Sequence, residues 1–287
     1  MAKAHVLAVD IGGTKMAAAM VDADGQIIAR ARAATPETRD PEVLFAALVS
    51  VVDSLPADQR ASAAACGVGC GGPMRDGGAL VSPVNIPAWR DFALRERLGA
   101  HTGLPTWVDN DAKALALGEG WLGAAAGARD YLAMVVSTGI GGGIVLDGRL
   151  LDGADGNAGH VGHVIVEPGG RLCGCGAHGC TEAEASGTAI RAITGQSAEH
   201  APPELIERSG TLVGRAVASV ANLLDLPLAV VSGSVALGFG APFFAAAQAE
   251  LDRSCRLDFS RGTRIIPGAL GADGPLVGAA CVALRRS

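Results

Sequence analysis

Two stretches of this chain carry the same order of signals, and that repetition restricts the fold more than any other feature. Val6 to Asp10 is an apolar run that meets Gly12-Gly13-Thr14, resumes from Met16 to Val21, turns at Asp24-Gly25 and runs again from Gln26 to Ala31. Further on, Tyr131 to Val136 leads into Ser137-Thr138-Gly139-Ile140-Gly141-Gly142-Gly143, then Ile144 to Leu146, a turn at Asp147-Gly148, and Arg149 to Leu151. Each reads as strand, glycine turn, strand, tight turn, strand. A whole supersecondary unit occurring twice reads as an internal duplication.

Between and after these units the pattern turns helical. Pro41 to Leu55 places Leu44, Leu48, Val52 and Leu55 near one face, with Pro41 suited to a first turn. Arg90 to His101, Ala112 to Leu122, Thr188 to Thr194, Glu204 to Leu226, Pro242 to Leu257 and Pro275 to Arg285 are further helical stretches; Leu228 to Val231 and Thr263 to Ile266 read as strands, and Gly195 to Pro203 as loop. Strands alternating with helices give the α/β class. A length of 287 residues exceeds the usual single domain, so two lobes are expected, with a boundary near Ala112. Hydrophobic residues make up 49% of the chain but aromatics only 3%, so the core must be built from Ala, Val, Leu and Ile, while 41 glycines imply many special turns.

Charge excludes some partners. A net charge of -6, with no Lys/Arg run longer than Arg285-Arg286, leaves no electrostatic footprint for nucleic acid or anionic lipid. Met1 to Asp10 lacks the long apolar stretch of a signal peptide or membrane helix, so a cytoplasmic enzyme is expected.

Glycine turns admit two readings. They can be plain hairpins, or they can let backbone N–H groups approach phosphate oxygens, with the Thr14 and Thr138 hydroxyls as added donors. Duplication favours the second, because two facing turns can grip a phosphate chain from both sides. Asp10, next to the first turn, can cap it or hold Mg²⁺ directly or through water. Neither turn is a G-x-x-x-x-G-K-[ST] loop, and each leads into a strand. A G-x-G-x-x-G match at Gly67, Gly69 and Gly72 is set aside as a dinucleotide turn, because Pro73 and Arg75-Asp76-Gly77-Gly78 follow where a helix should start.

Seven cysteines include three, Cys173, Cys175 and Cys180, within eight residues. In a reducing compartment such crowding points to metal. With His163 they form H-x9-C-x-C-x4-C, the ligand set of a closed tetrahedral zinc site, structural because no position stays open for water. His160 and His178 are rival nitrogen donors, His178 at the expense of a strained loop. Cys66, Cys70, Cys255 and Cys281 are scattered and read as small core residues.

Taken in order, Asp10-Ile11-Gly12-Gly13-Thr14-Lys15, Asp109-Asn110-Asp111-Ala112, Ser137 to Gly143, Ala158-Gly159-His160-Val161-Gly162-His163, and Cys173-Gly174-Cys175 through Cys180-Thr181-Glu182 make the chain resemble the bacterial ROK sugar kinases and repressors, relatives of hexokinase and actin. The resemblance spans nearly the whole chain and implies a ribonuclease-H-like fold in two lobes, residues 1–111 with 272–287 and residues 112–271, the last helix packing back on the first lobe. ATP with Mg²⁺ and a small-molecule sugar would meet in the cleft, the sugar accepting phosphate on its 6-hydroxyl. Asp10, Gly12, Gly13, Thr14, Lys15, Thr138, Gly139, Gly141, Gly233 and Ser234 would bind the nucleotide. Asn85, Asn110, Asp111, His160, His163 and Glu182 would contact the sugar, Asp111 as catalytic base and His163 through its second ring nitrogen. A homodimer is implied as well.

Asp111 opens a helix, where an acidic residue usually caps, and the helix dipole is expected to lower its pKa. Glucokinase-like members usually have Glu where this chain has His160, and the A-G-H-x-G-H form resembles bacterial N-acetylmannosamine kinases. Imidazole brings a donor and an acceptor where a carboxylate brings only acceptors, so hydroxyl recognition must differ. A tolerated swap in a glucose enzyme is the alternative. Two other classes stand beside the kinase: a sugar-sensing ROK repressor, which would carry an N-terminal helix-turn-helix ahead of the loop that here opens at Asp10, and a sugar-binding protein in which Asp111 is idle.

Overall fold

The computed structural model describes residues 5–285; the polar start of the chain at residues 1–4 and Arg286 of the terminal basic pair lie outside the described residues. The chain divides into two compact units, one formed by Met1–Leu122, Asp152–Ala158 and Ala272–Ser287, the other by Gly123–Leu151 and Gly159–Gly271.

In the first unit β1 (His5–Ile11), β2 (Lys15–Val21) and β3 (Ile27–Ala34) form an antiparallel meander. Helix α1 (Pro41–Asp53) follows, started by Asp40, whose side chain accepts from the N–H of Glu42 at 2.8 Å, and by Pro41 in the first turn. It buries Leu44, Leu48, Val51 and Val52 against the sheet's apolar face. After the short α2 (Ala57–Arg60), β4 (Ala63–Cys70) enters parallel to β1. A small hairpin of β5 (Met74–Arg75) and β6 (Leu80–Val81), α3 (Leu94–Thr102), β7 (Thr106–Asn110) and α4 (Asp111–Leu122) complete this part, giving the sheet order β3-β2-β1-β4-β7. The expected helix from Arg90 begins only at Leu94, because Phe92 exchanges both backbone hydrogen bonds with Val81 at 3.0 Å and Asp91 before it turns the chain at φ +47°.

The second unit repeats the plan. β8 (Tyr131–Val136), β9 (Ile140–Leu146) and β10 (Arg149–Leu150) form the meander. Helices α5 (Thr181–Ala185), α6 (Gly187–Thr194) and α7 (Pro203–Leu224) lead to β11 (Leu228–Ser232), which pairs parallel to β8. Helices α8 (Ser234–Phe239) and α9 (Ala241–Ser254) precede β12 (Arg264–Pro267), and the order is β10-β9-β8-β11-β12. Gly210 and Gly214 let α7 lie directly on α9, since a Cβ on either would fall on the carbonyl of Phe243 or Ala247.

One expectation needs correction. The second glycine stretch is not a loop from Ser137 to Gly143: only Ser137-Thr138-Gly139 turns, and Gly141, Gly142 and Gly143 lie in β9, paired with Val135, Met134 and Ala133. Their smallness serves packing. A Cβ on Gly142 would sit 2.7 Å from Val161 Cγ2 and 2.9 Å from the Ala133 carbonyl oxygen.

The last helix, α10 (Gly274–Leu284), belongs to the first unit and covers the face of its sheet opposite α1. Gly67 of β4 permits this contact and Gly278 of α10 lets the helix lie on α4, because a Cβ on them would fall on the carbonyls of Ala279 and Ala114. As composition required, the buried side chains are mostly Ala, Val, Leu and Ile, and Cys66, Cys70, Cys255 and Cys281 are all buried. Among the described residues no helix is long and apolar enough to cross a membrane.

Candidate functional site

In the first unit the carboxyl ends of three parallel strands line up. Register pairs Asp10 with Gly69 and Gly69 with Asp109, so the three share one face of the sheet. Gly69 leaves the centre of that row empty. From the place its Cβ would occupy, Ala114 Cβ and Asp111 Cα are each 3.5 Å away and Asp10 Oδ1 3.8 Å, so Asp10 and Asp111 are neighbours around it, near enough for the charge of Asp111 to act on Asp10. Burial, reinforced by the charge of Asp111 and opposed by Lys15, pushes Asp10 up to about 7. Two neighbouring carboxylates of this kind suit a divalent cation, whose charge would reverse that shift.

Asp111 is the first residue of α4 and its Oδ1 accepts from the N–H of Ala112 at 2.8 Å; Asn110 Oδ1 accepts from the same N–H at 3.0 Å. The dipole was expected to lower Asp111. Its carboxyl keeps contact with solvent, yet the density of protein around it raises its pKa, and the Ala112 N–H only opposes that rise. Asp109 is held from below by Lys113 at 2.8 Å. Lys113, almost wholly buried, spends its remaining hydrogens on Asp152 Oδ1 and the Gly156 carbonyl, each at 2.9 Å. Asp152 also receives Arg285 at 3.0 Å. Sequence reading missed this network, since nothing local to Lys113 announces partners that far along the chain.

The first glycine turn has its carbonyls tied back. Gly12 N–H donates to Lys15 O at 2.9 Å, the Thr35 hydroxyl donates to Gly12 O at 2.7 Å, and Thr35 N–H donates to Thr14 O at 3.1 Å. Donors are thus what the exposed residues Gly13, Thr14 and Lys15 have to offer an anion. Asn85 packs on this turn: a Cβ on Gly13 would lie 2.8 Å from Asn85 Cβ. A cavity of about 390 Å³ opens beside them, lined by Gly13, Thr35, Leu44, Asn85 and Ile86 among others.

The second turn, in the second unit, is tied back by other means. Ser137 O accepts from Gly187 N–H at 2.8 Å, and Thr138 O accepts from the N–H and hydroxyl of Thr188 at 3.1 and 2.8 Å. Ser137 Oγ meets Ser234 Oγ at 2.9 Å, and Gly233 before it adopts φ +101°, with no room for a Cβ against Val136 O. Glu182 Oε2 accepts from the N–H of Ile140 at 2.9 Å. Gly141, expected among the nucleotide contacts, is displaced into β9 as described. Thr188 was missed because its role is set by tertiary contact with a turn far away in sequence.

Beside this turn, His163, Cys173, Cys175 and Cys180 bring their ligand atoms within 4.8 Å of one another. Cys173 Sγ lies 3.7 Å from His163 Nδ1, and Cys175 Sγ lies 3.7 Å from Cys180 Sγ. The edge of a tetrahedron with Zn–S bonds of about 2.3 Å is about 3.8 Å, so the four residues fit a closed zinc site. His163 approaches through Nδ1 and keeps Nε2 for another partner. His178 instead directs Nδ1 to the Gly170 carbonyl at 2.9 Å, and the His160 ring lies 6.0 Å from that of His163. The N–H of Ala177 and the neighbouring thiols draw Cys175 below its ordinary pKa, whereas burial pushes Cys180 up to about 12. Buried Glu184 braces the loop, accepting from Arg171 N–H at 2.5 Å and from Arg208 at 2.7 Å.

The model of the ROK family matches residues 6–286. An N-acetylmannosamine kinase of Escherichia coli O157:H7 is 41% identical over 252 residues, covering 82% of this chain and 84% of that kinase. Among solved structures, a ROK hexokinase from Thermus thermophilus superposes with a TM-score of 0.86 at 33% identity, covering 98% of each chain. A ROK glucokinase from Streptomyces griseus, in complex with glucose and AMPPNP, does so with a TM-score of 0.85 at 30% identity, covering 98% of this chain and 99% of that one.

Proposed function

This chain belongs to the ROK family, and from that premise we propose that it is an ATP-dependent sugar kinase that phosphorylates the 6-hydroxyl of N-acetylmannosamine in preference to glucose. The neighbouring pair Asp10 and Asp111 carries the kinase reading. Asp111 accepts the proton of the attacking hydroxyl, and Asp10 would hold Mg²⁺, whose charge would offset that of the phosphates. Phosphoryl transfer through a loose transition state relies on positioning and charge neutralisation more than on a strong base, so a solvent-touched Asp is adequate. Each unit brings its own donors for phosphate oxygens, the N–H groups of Gly13 and Thr14 with the Lys15 cation in the first and those of Thr138 and Gly139 in the second.

The preference for N-acetylmannosamine rests on His160, in the A-G-H-x-G-H sequence, together with the 41% identity to a kinase named for that sugar. Asn85, Asn110, His160, His163 Nε2 and Glu182 are the groups we assign to sugar hydroxyls. The four-ligand zinc site shapes the loop that carries His163 and Glu182. The two units would be the two lobes of each protomer of a cytoplasmic homodimer, whose mass light scattering can test. Measuring kcat/KM with glucose, mannose, N-acetylglucosamine and N-acetylmannosamine tests the substrate: N-acetylmannosamine is expected to lead, and a lead by glucose would reassign the enzyme.

A further inference from the structure

Glu182 does more in this molecule than face a sugar. Its Oε2 accepts from the N–H of Ile140, the residue directly after the Ser137-Thr138-Gly139 turn. The turn is also made to admit that oxygen: a Cβ on Gly139 would stand 2.7 Å from Glu182 Oε2. Five to six residues beyond Glu182, the same segment takes up the turn's other end, Gly187 N–H on Ser137 O and Thr188 N–H and hydroxyl on Thr138 O. Residues 182–188 therefore grip both ends of the turn.

That grip is itself anchored. Thr181 gives its N–H and its hydroxyl to Val164 O, both at 2.9 Å, Glu184 is fixed by Arg171 and Arg208, and Ser186 caps α6 by accepting from Ala189 N–H at 3.1 Å. Thr181, Glu184 and Ser186 are each at most 1% exposed. A carboxylate held on so rigid a base fixes the turn better than a flexible surface residue can, because little side-chain entropy is left to lose.

We propose that Glu182 is a positioning residue for the nucleotide, holding the second phosphate turn in its binding shape through Ile140 while its other oxygen serves the sugar. The proposal rests on the reading that this turn binds ATP phosphates. Because Ile140 N–H is engaged by Glu182, the phosphate donors are Thr138 and Gly139, and Glu182 acts on them indirectly. One side chain then links the two substrates, so loosening it weakens nucleotide binding even when no sugar is present.

Calorimetric titration with magnesium AMPPNP, in the absence of sugar, separates the possibilities. Wild type that fails to bind would sink the phosphate-turn reading itself. Given wild-type binding, Glu182→Gln keeps an acceptor for Ile140 and is expected to bind within about twofold of wild type, whereas Glu182→Ala is expected to raise Kd about tenfold or more, the effect of losing one hydrogen bond to a charged group. Gly139→Ala, which displaces Oε2 from the other side, should raise Kd similarly and guards against a poorly folded Glu182→Ala. Zinc content and near-ultraviolet circular dichroism should stay those of wild type. Wild-type nucleotide affinity in either Glu182→Ala or Gly139→Ala would overturn the proposal.

Discussion

In the first unit β1 brings Asp10 to a turn whose neighbours Asp109 and Asp111 are also carboxylates, whereas in the second unit β8 ends on Val136 and the turn from Ser137 is fixed by Gly187, Thr188 and Glu182. Both turns sit at the same place in sheets of the same order, meander first and parallel strands after. What differs is how each turn is held. The first gathers carboxylates in a buried place, where burial, and after it the charge of Asp111, pushes Asp10 up to about 7. The second is assembled from backbone donors and acceptors satisfied within the unit, with a candidate zinc site stiffening its surroundings. One duplicated frame thus supports two electrostatic designs, and substitutions in the two units should fail in different ways.

The largest effect is expected at Asp111. Asp111→Asn should lower turnover about a thousandfold or more while leaving zinc content unchanged and the fold at least as stable; turnover within tenfold of wild type would remove Asp111 as base and leave the first unit without its chemical distinction. Next comes Asp10→Asn, with about a hundredfold loss of magnesium-dependent turnover and, unusually, a gain in stability. The sign follows from a folded-state pKa raised from 3.8 to about 7. Between those values the unfolded chain ionises while the folded one resists, so the destabilising contribution grows as pH rises from 3.8 and levels off above 7. The stabilisation by Asn should therefore be larger at pH 8 than at pH 5.5, by roughly 2 kcal/mol from the 1.36 kcal/mol per pH unit of linkage. Urea melts of both proteins at the two pH values measure it, and equal gains would refute the account of Asp10.

In the second unit the corresponding substitution is Cys175→Ser. Metal analysis should find about one zinc per wild-type chain and little in the variant, with the thermal midpoint lowered by several degrees. A metal-free wild type of full activity would contradict the zinc assignment. The smallest effect is expected from His160→Glu, a shift in the ratio of kcat/KM of about tenfold towards glucose, as befits one altered polar contact. An unchanged ratio would detach His160 from recognition of the 2-acetamido group.

Much of the fold was legible because the two meanders advertise themselves: apolar runs of strand length, glycine turns, then Asp24-Gly25 and Asp147-Gly148. β4 and β7 were not read as strands. β4, AAACGVGC, is so poor in branched residues that no period shows, since α10 presses on Gly67 and Asp10 and Asp111 need the gap at Gly69. The same glycines had raised a dinucleotide motif, which their position inside β4 explains away. The candidate site divides along similar lines. The His163, Cys173, Cys175 and Cys180 cluster could be read from spacing because its ligands are close in the chain. Lys113, Asp152, Thr188 and the bond from Ile140 to Glu182 could not, as each joins residues brought together only by folding.

The central claim is that this chain moves phosphate from ATP to a sugar. Phosphorus NMR of purified chain with magnesium ATP and N-acetylmannosamine tests it directly. The account predicts a sugar 6-phosphate resonance growing in step with ADP. ATP left intact beside N-acetylmannosamine and beside glucose alike, with a folded and zinc-loaded protein, would contradict it.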